Sequence, residues 1–166
     1  MKPTKPKQAA AFFFLMSLLA LFMLPACSEE GADIPLRNRL EVETQDGNTH
    51  LFFAELALTP AQQAQGLMHR VDMPEKTGML FYFGGDEAER NFWMKNTLIP
   101  LDMLFIKKDG RIHHIHENAR PHDLTTIPSN GPVAAVFEIN GGLSARLGIK
   151  AGDKVRSAFF NSTVAE

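Results

Sequence analysis

The chain has 166 residues, of which 45% are hydrophobic, and its 17 basic and 19 acidic side chains give a formal net charge of −2. This length and apolar content suit one ordinary domain with a proper core. The slight acidic excess disfavours nucleic acid as a partner, because phosphate binding requires a basic face.

The N-terminus has the pattern of an export signal. Three lysines precede an apolar stretch over residues 9–24, and Ala26 is the small residue that a signal peptidase requires. Cys27, the only cysteine, follows directly. We therefore predict a signal peptide over residues 1–26 and lipidation of the Cys27 thiol. An ordinary cleaved signal and an uncleaved anchor are the alternatives, although the apolar stretch is shorter than the roughly 20 residues that span a bilayer.

Lipidation would place the protein at a membrane of the cell envelope. Ser28, rather than an aspartate, follows Cys27, which resembles lipoproteins sent to the outer membrane of Gram-negative bacteria. Removing the three lysines of the signal leaves 17 − 3 = 14 basic against 19 acidic side chains, a net charge near −5. The lipid anchor is thus the expected attachment of an exported, periplasmic protein. The polar residues 27–38 are expected to form a flexible tether.

Residues 39–161 are predicted to form a single β domain that begins with a hairpin. Residues 40–44 alternate between apolar and polar side chains, and a second strand-like run over residues 49–58 follows the turn signal Asp46-Gly47. A short helix is predicted next, because Thr59-Pro60-Ala61-Gln62 combines an N-cap, an N-terminal proline and a capping-box glutamine.

The rest of the domain consists mostly of short strand-like segments. These are residues 78–83, 91–95, 102–107, 111–117, 132–139 and 154–160, with a possible helical turn at 142–147. Many short strands with closely spaced turn signals favour a β-sandwich or a barrel-like sheet with one or two short helices over a parallel α/β sheet.

Five motifs in a fixed order carry a resemblance to a known family. They are Gly66-Leu67-Met68-His69-Arg70, Gly78-Met79-Leu80-Phe81, the segment from Phe92-Trp93-Met94-Lys95 to Leu101-Asp102, Ser129-Asn130-Gly131-Pro132 and Gly148-Ile149-Lys150-Ala151-Gly152-Asp153. Together they resemble the family called domain of unknown function 192. The resemblance implies a mainly β, sandwich-like single domain, and the family's biochemical function is not established. Many relatives carry a Leu-Pro-Ala-Gly-like turn where this chain has residues 138–142. We expect this difference to change the geometry of the turn more than the fold.

The strongest candidate site lies within residues 92–102. Trp93 could serve as an apolar platform for a small ligand or peptide, with Lys95, Asn96 and Asp102 fixing its orientation. The alternative is structural: the aromatic side chain covers the core, and the polar side chains make turn or loop hydrogen bonds.

Two further residues extend this candidate site. On a strand, Thr97 would share a face with Trp93 and Lys95. Arg70 could bind an anion or carboxylate, or pair with Asp102 or Asp72 for structure. The predicted ligand-binding residues are Arg70, Trp93, Lys95, Asn96, Thr97 and Asp102.

A histidine-rich segment offers a metal site as an alternative. His114 and His116 would share one strand face within residues 113–122, and His122 is a candidate third ligand. More often such a strand is a solvated face, so no metal is predicted.

The sequence supports catalysis less than it supports binding. A small hydrolase that uses Asp102 with Lys95 or a histidine is one alternative. No Gly-x-Ser-x-Gly elbow, phosphate loop or dinucleotide fingerprint is present, and no cofactor is predicted. We therefore predict a lipid-anchored, envelope-facing module that binds an unknown small ligand or envelope protein without catalysis. A metal-handling protein is the other alternative.

Overall fold

The computed structural model describes residues 38–160. The predicted signal peptide, Cys27 and the tether up to residue 37 lie outside these residues, so export and lipidation stay predictions. Within the described part of the chain, no helix combines the length and the apolar character needed to cross a membrane.

Strands dominate the described residues, which confirms the predicted mainly β class. In chain order the elements are β1 (Arg39–Glu43), β2 (Thr49–Ala57), α1 (Pro60–Gln65), β3 (Thr77–Tyr82), β4 (Asn91–Phe92), β5 (Leu101–Ile106), β6 (Ile112–Ala119), β7 (Ile127–Pro128), β8 (Ala135–Asn140), α2 (Leu143–Leu147) and β9 (Lys154–Arg156).

Seven of these strands form one sheet in the order β6-β5-β8-β3-β2-β1-β9, which curls into a half-barrel. The β2 and β3 strands run parallel, which requires a crossover connection, and this connection contains α1. The other neighbours in this sheet are antiparallel. The β4 and β7 strands form a separate two-stranded pair.

The two edge strands of the half-barrel approach each other at one place, which we call the seam. A single bridge pairs Arg111 with Lys154. The backbone amide of Ile112 donates to the Asp153 carbonyl over 2.8 Å, and that of Val155 donates to the Gly110 carbonyl over 2.7 Å. The start of β6 is thereby tied to β9.

Local signals account for the hairpin and for α1, and both predictions are confirmed. The β1 and β2 strands pair across the predicted turn. At α1 the Gln62 amide donates to the Thr59 hydroxyl, and the Gln62 side chain accepts from the Thr59 amide over 3.0 Å. Gly66 ends the helix with φ +46°, a value that favours glycine.

Apolar side chains form two core layers, because successive strand residues point to opposite faces of the sheet. The first layer is built around Leu40, Phe52, Leu80, Leu104, Phe137 and Ile139. The second layer is built around Leu67, Phe81, Met94, Leu101, Met103 and Phe105. Leu67 and Met94 come from connecting segments rather than strands, so those segments lie over the second layer, where they carry the candidate site.

Two predicted strands end several residues earlier than expected. The strand predicted over residues 91–95 is wrong beyond Phe92, because Met94 turns into the core and the Thr97 amide donates back to the Met94 carbonyl over 3.1 Å. The last strand ends at Arg156, and the chain beyond it packs Phe159 against the Tyr82 ring. In both places a non-strand conformation replaces part of a predicted strand-like segment.

Candidate functional site

A cavity of about 460 Å³ lies between α1 with its following loop on one side and residues 89–97 on the other. Its buried lining side chains, which we call the floor, are Leu67, Phe81, Thr97 and Glu138. Its exposed lining side chains, which we call the mouth, include Ala64, Gln65, Glu89, Asn91, Trp93 and Lys95. The remaining lining residues, among them Phe83, Arg90 and Phe92, are partly buried.

Glu138 places a carboxyl group on the floor of this cavity. The side chain is 4% exposed and lies on β8, where Met79 and Met103 are its cross-strand neighbours. Among the described residues, its carboxyl group has no hydrogen-bond or ion-pair partner. Burial raises the pKa of Glu138 to about 8, so the carboxyl group is mostly protonated at neutral pH.

Aromatic rings form the walls of the cavity and extend onto its floor at Phe81. Phe81 and Phe92 meet edge to face with their ring centres 5.1 Å apart. Phe83 lies beside them, and Trp93 stands at the mouth with 53% of its surface exposed. Rings of this kind offer a broad apolar surface to a ligand.

Two cationic side chains lie against these aromatic walls. The Arg90 guanidinium stacks over the Phe83 ring at 4.1 Å from its centre, and the Nε atom of Arg90 is buried without a hydrogen-bond partner. The Lys95 ammonium lies 5.3 Å from the centre of the Trp93 ring. The cavity thus combines a neutral acid on its floor with positive charge nearer the mouth.

Three of the six predicted ligand-binding residues line the cavity, namely Trp93, Lys95 and Thr97. Asn96 lies in the same turn, where it adopts φ +55° and its contacts hold the turn in place. Its carbonyl accepts from the His69 amide over 2.8 Å, and its side-chain amide lies 3.9 Å from the Met68 sulfur. The predicted sharing of a strand face by the three lining residues is wrong, because they lie in a turn.

Arg70 lies outside this cavity, in a neighbouring groove on the other side of residues 66–68. Its guanidinium donates to both carboxylate oxygens of Glu55, over 2.6 and 2.8 Å. The suggested pairing with Asp102 or Asp72 is therefore wrong.

Asp102 is fully buried, does not line the cavity, and links β5 to the residues around α2 and to β6. One carboxylate oxygen accepts from the backbone amides of Asn118 and Gly142, each over 2.8 Å. The other accepts from the Ser144 amide over 2.9 Å and from the Ser144 hydroxyl. These contacts match the structural alternative for Asp102, since they fix the turn after β8 and the start of α2.

The histidines of β6 engage in other contacts. His114 stacks on the Phe105 ring with centres 5.7 Å apart, and burial, followed by the charges of His116 and His113, lowers its pKa. The His113 Nε2 atom lies 2.9 Å from the Asn130 carbonyl oxygen. Between residues 38 and 160, no three His, Cys, Asp or Glu side chains are grouped to hold a metal ion, so His122 does not complete a site with His114 and His116.

Two lining residues, Arg90 and Glu138, did not emerge as candidates from the sequence. A signal for Glu138 was present, because it interrupts the otherwise apolar run over residues 133–139. A carboxyl group within a buried strand is uncommon and often functional. Arg90 lies in a polar stretch, where nothing distinguishes it from a solvated charge.

Comparisons with known proteins give a consistent result. The model of the DUF192 family, described as "Uncharacterized ACR", matches residues 41–157. A crystal structure from Sinorhizobium meliloti 1021, provisionally described as a transcription regulator, is 48% identical with a TM-score of 0.72, and covers 74% of this chain and 94% of its own. A protein of unknown function from Novosphingobium aromaticivorans DSM 12444 is 49% identical with a TM-score of 0.67, and the match covers 70% of this chain and 82% of that one. No curated protein matches the chain.

Proposed function

The chain belongs to the DUF192 family, and we propose that it is a non-catalytic binding protein that takes a small ligand into the cavity floored by Glu138. One observation carries this proposal: the Glu138 carboxyl group is almost fully buried, faces an open cavity and has no partner among residues 38–160. Buried polar groups in folded proteins are nearly always hydrogen-bonded. A ligand in the cavity would supply the missing partner.

The composition of the lining supports binding of a small organic molecule. Ligand sites typically combine apolar and aromatic walls with a few polar groups that fix orientation. Here the rings of Phe81, Phe92 and Trp93 would contact the ligand body, while Thr97 and Glu138 offer polar atoms on the floor. A volume of about 460 Å³ lies within the range of small-molecule sites.

We do not propose nucleic-acid binding for this chain, although the Sinorhizobium protein is described as a transcription regulator. In this chain 19 acidic side chains outnumber 17 basic ones, which disfavours contacts with phosphates.

We also propose that the binding domain works in the cell envelope, held to a membrane by lipid on Cys27. The support is the sequence pattern of residues 1–26 with the cysteine directly after it. Metabolic labelling with a palmitate analogue in a Gram-negative host tests this. We expect label on the native chain and none on Cys27→Ser, and an unlabelled native chain would contradict the lipid anchor.

Binding can be tested with three small compounds that share a phenyl ring: benzoate, benzylamine and benzyl alcohol. Trp93 is the only tryptophan, so its indole N–H signal in the NMR spectrum of the full-length chain reports on the cavity. We expect at least one compound to shift this signal saturably. If none of the three does, the proposal is wrong.

A matched pair of variants localises the effect. Ala64 and Ala61 are both exposed on α1, but Ala64 lines the cavity whereas Ala61 lines the neighbouring groove. Ala64→Trp should block the shift by filling the mouth, and Ala61→Trp should not. Because each variant adds a second indole, the Trp93 signal is identified by its position in the native spectrum. Equal binding by both variants would contradict this cavity as the site.

A further inference from the structure

We propose that the ligand of this cavity carries a carboxylate, which Arg90 and Lys95 bind while the apolar body of the ligand lies against the aromatic walls. This inference rests on the proposed function and adds the chemical class of the ligand.

Arg90 provides the first argument, because its guanidinium is held in place yet lacks an anion. Stacking on Phe83 fixes the plane of the group, and its buried Nε atom donates to nothing in the described chain. The two Nη atoms are not buried and form no hydrogen bond among the described residues, so a carboxylate in that plane could accept from both of them in a bidentate contact.

Other arginines of the described chain show what Arg90 is missing. Five of them form ion pairs with carboxylates: Arg39, Arg70, Arg111, Arg146 and Arg156. The sixth, Arg120, forms none within residues 38–160, but it is exposed, whereas Arg90 is partly buried. Arg90 forms none, although Glu89 is its neighbour in sequence and lines the same cavity. The anion that would complete the Arg90 site is therefore expected from outside the chain.

Lys95 adds a second positive charge to the same cavity. Its ammonium lies over the Trp93 ring and forms no ion pair among residues 38–160. A carboxylate between the two cations would be attracted by both. Glu89 opposes this attraction. Because Glu89 and Lys95 are both exposed, solvent and salt screen both charges, and the partly buried Arg90 contributes most of the attraction.

The floor of the cavity favours an anionic over a cationic ligand. The groups nearest Glu138 on the neighbouring strands are Met79 and Met103, and the charged groups lining the cavity are Glu89, Arg90 and Lys95. With a pKa of about 8, Glu138 is neutral near pH 7. It therefore does not repel a carboxylate, and its carboxyl O–H can donate the hydrogen bond that the ligand is proposed to accept on the floor. A cationic ligand would instead meet two like charges and no ionised group on the floor.

The three phenyl compounds test the ligand class, because each joins one phenyl ring to a single small polar group that is anionic, cationic or neutral. The dissociation constant of each is measured from the Trp93 indole signal of the full-length chain. We expect benzoate to bind at least about tenfold more tightly than benzylamine and benzyl alcohol. Tighter binding of benzylamine, or equal binding of all three, would overturn the carboxylate inference while leaving the binding function supported. Binding of none would overturn both.

Variants test the two cations separately. Arg90→Ala and Lys95→Ala should each weaken benzoate binding, by about tenfold for Arg90, without weakening benzyl alcohol. Arg111→Ala and Lys108→Ala are matched controls at exposed positions that do not line the cavity, and they should leave both constants unchanged. Since Lys95 is exposed, its variant stays informative even if Arg90→Ala fails to fold. Unchanged benzoate binding in Lys95→Ala would contradict the inference.

The pH dependence of benzoate affinity tests the inference independently of the Arg90 and Lys95 variants. Benzoate stays ionised above pH 6, so its affinity should fall several-fold as Glu138 ionises through about pH 8. Glu138→Gln keeps the floor neutral and should bind benzoate equally on both sides of that pH. An affinity that rises with pH in the native chain would overturn the inference.

Discussion

At the scale of single residues, Glu138 links the stability of the protein to pH. Burial raises its pKa from 4.5 to about 8, so the folded state binds a proton that the unfolded state has already lost within this range. The contribution of Glu138 to the free energy of unfolding should therefore be most favourable below about pH 4.5, where both states are protonated. It should fall as the pH rises from there to about 8 and level off above that value.

Replacing Glu138 with glutamine should remove this dependence. We expect Glu138→Gln to unfold with a free energy about 3 kcal/mol higher than the native chain near pH 7, and with a similar free energy near pH 4.5. Urea titrations across this range measure the difference. Glu117→Gln is a suitable control, since Glu117 is exposed on β6. Parallel pH profiles for the native and Glu138→Gln proteins would contradict the raised pKa.

Asp102 is a residue whose role lies in folding rather than in ligand contact. Asp102→Ala leaves the amides of Asn118, Gly142 and Ser144 without their acceptor in the interior. We expect a loss of about 3–5 kcal/mol in the free energy of unfolding, measured by urea titration. Asp109→Ala, at an exposed turn, should cost less than about 1 kcal/mol. A small effect at Asp102 would mean that another group takes over its hydrogen bonds.

At the scale of elements, α1 is a six-residue helix that depends on its cap. Thr59→Ala removes the hydroxyl that accepts from the Gln62 amide and should lower the free energy of unfolding by about 1 kcal/mol. Thermal unfolding measures this, with Thr126→Ala, in an exposed loop, as the control. Since α1 also lines the cavity, ligand binding should weaken together with the cap. Equal melting temperatures for both variants would show that packing alone holds the helix.

Most elements of the main sheet were predictable from the sequence to within a few residues, whereas the pairing of the strands was not, because it depends on partners that are distant in sequence. The capping box, the Asp46-Gly47 turn and the alternation of β1 each act within a few residues, and all three appear where expected. The β4 strand was predicted too long, because the strand-like residues after Phe92 form a turn that buries Met94.

The candidate site divides in the same way. Trp93, Lys95 and Thr97 lie within five residues, and a sequence window can single them out. Glu138 reaches the same cavity only because β8 pairs with β3 and β5, which are distant in sequence. The order of the strands in the sheet brings Glu138 to the cavity, and no local sequence pattern predicts that order.

At the scale of the whole molecule, the seam between β6 and β9 should be the first part of the half-barrel to open. It is held by one bridge and a few backbone bonds, whereas β5 and β8 pair over six residues. We expect the amides of Ile112 and Val155 to exchange with solvent deuterium at lower free energies than those of β5 and β8. Native-state hydrogen exchange measures both sets. Equal free energies would mean that the half-barrel opens only as a unit.

The seam has a further consequence for how copies of this protein behave at high concentration. A free strand edge can recruit the edge of another molecule and begin aggregation. Here β9 is bonded on both sides, and the start of β6 is covered as well. The edge that remains runs along the rest of β6, where three histidines and Glu117 interrupt the apolar sequence. The fold therefore offers little apolar edge for strand-to-strand association between molecules.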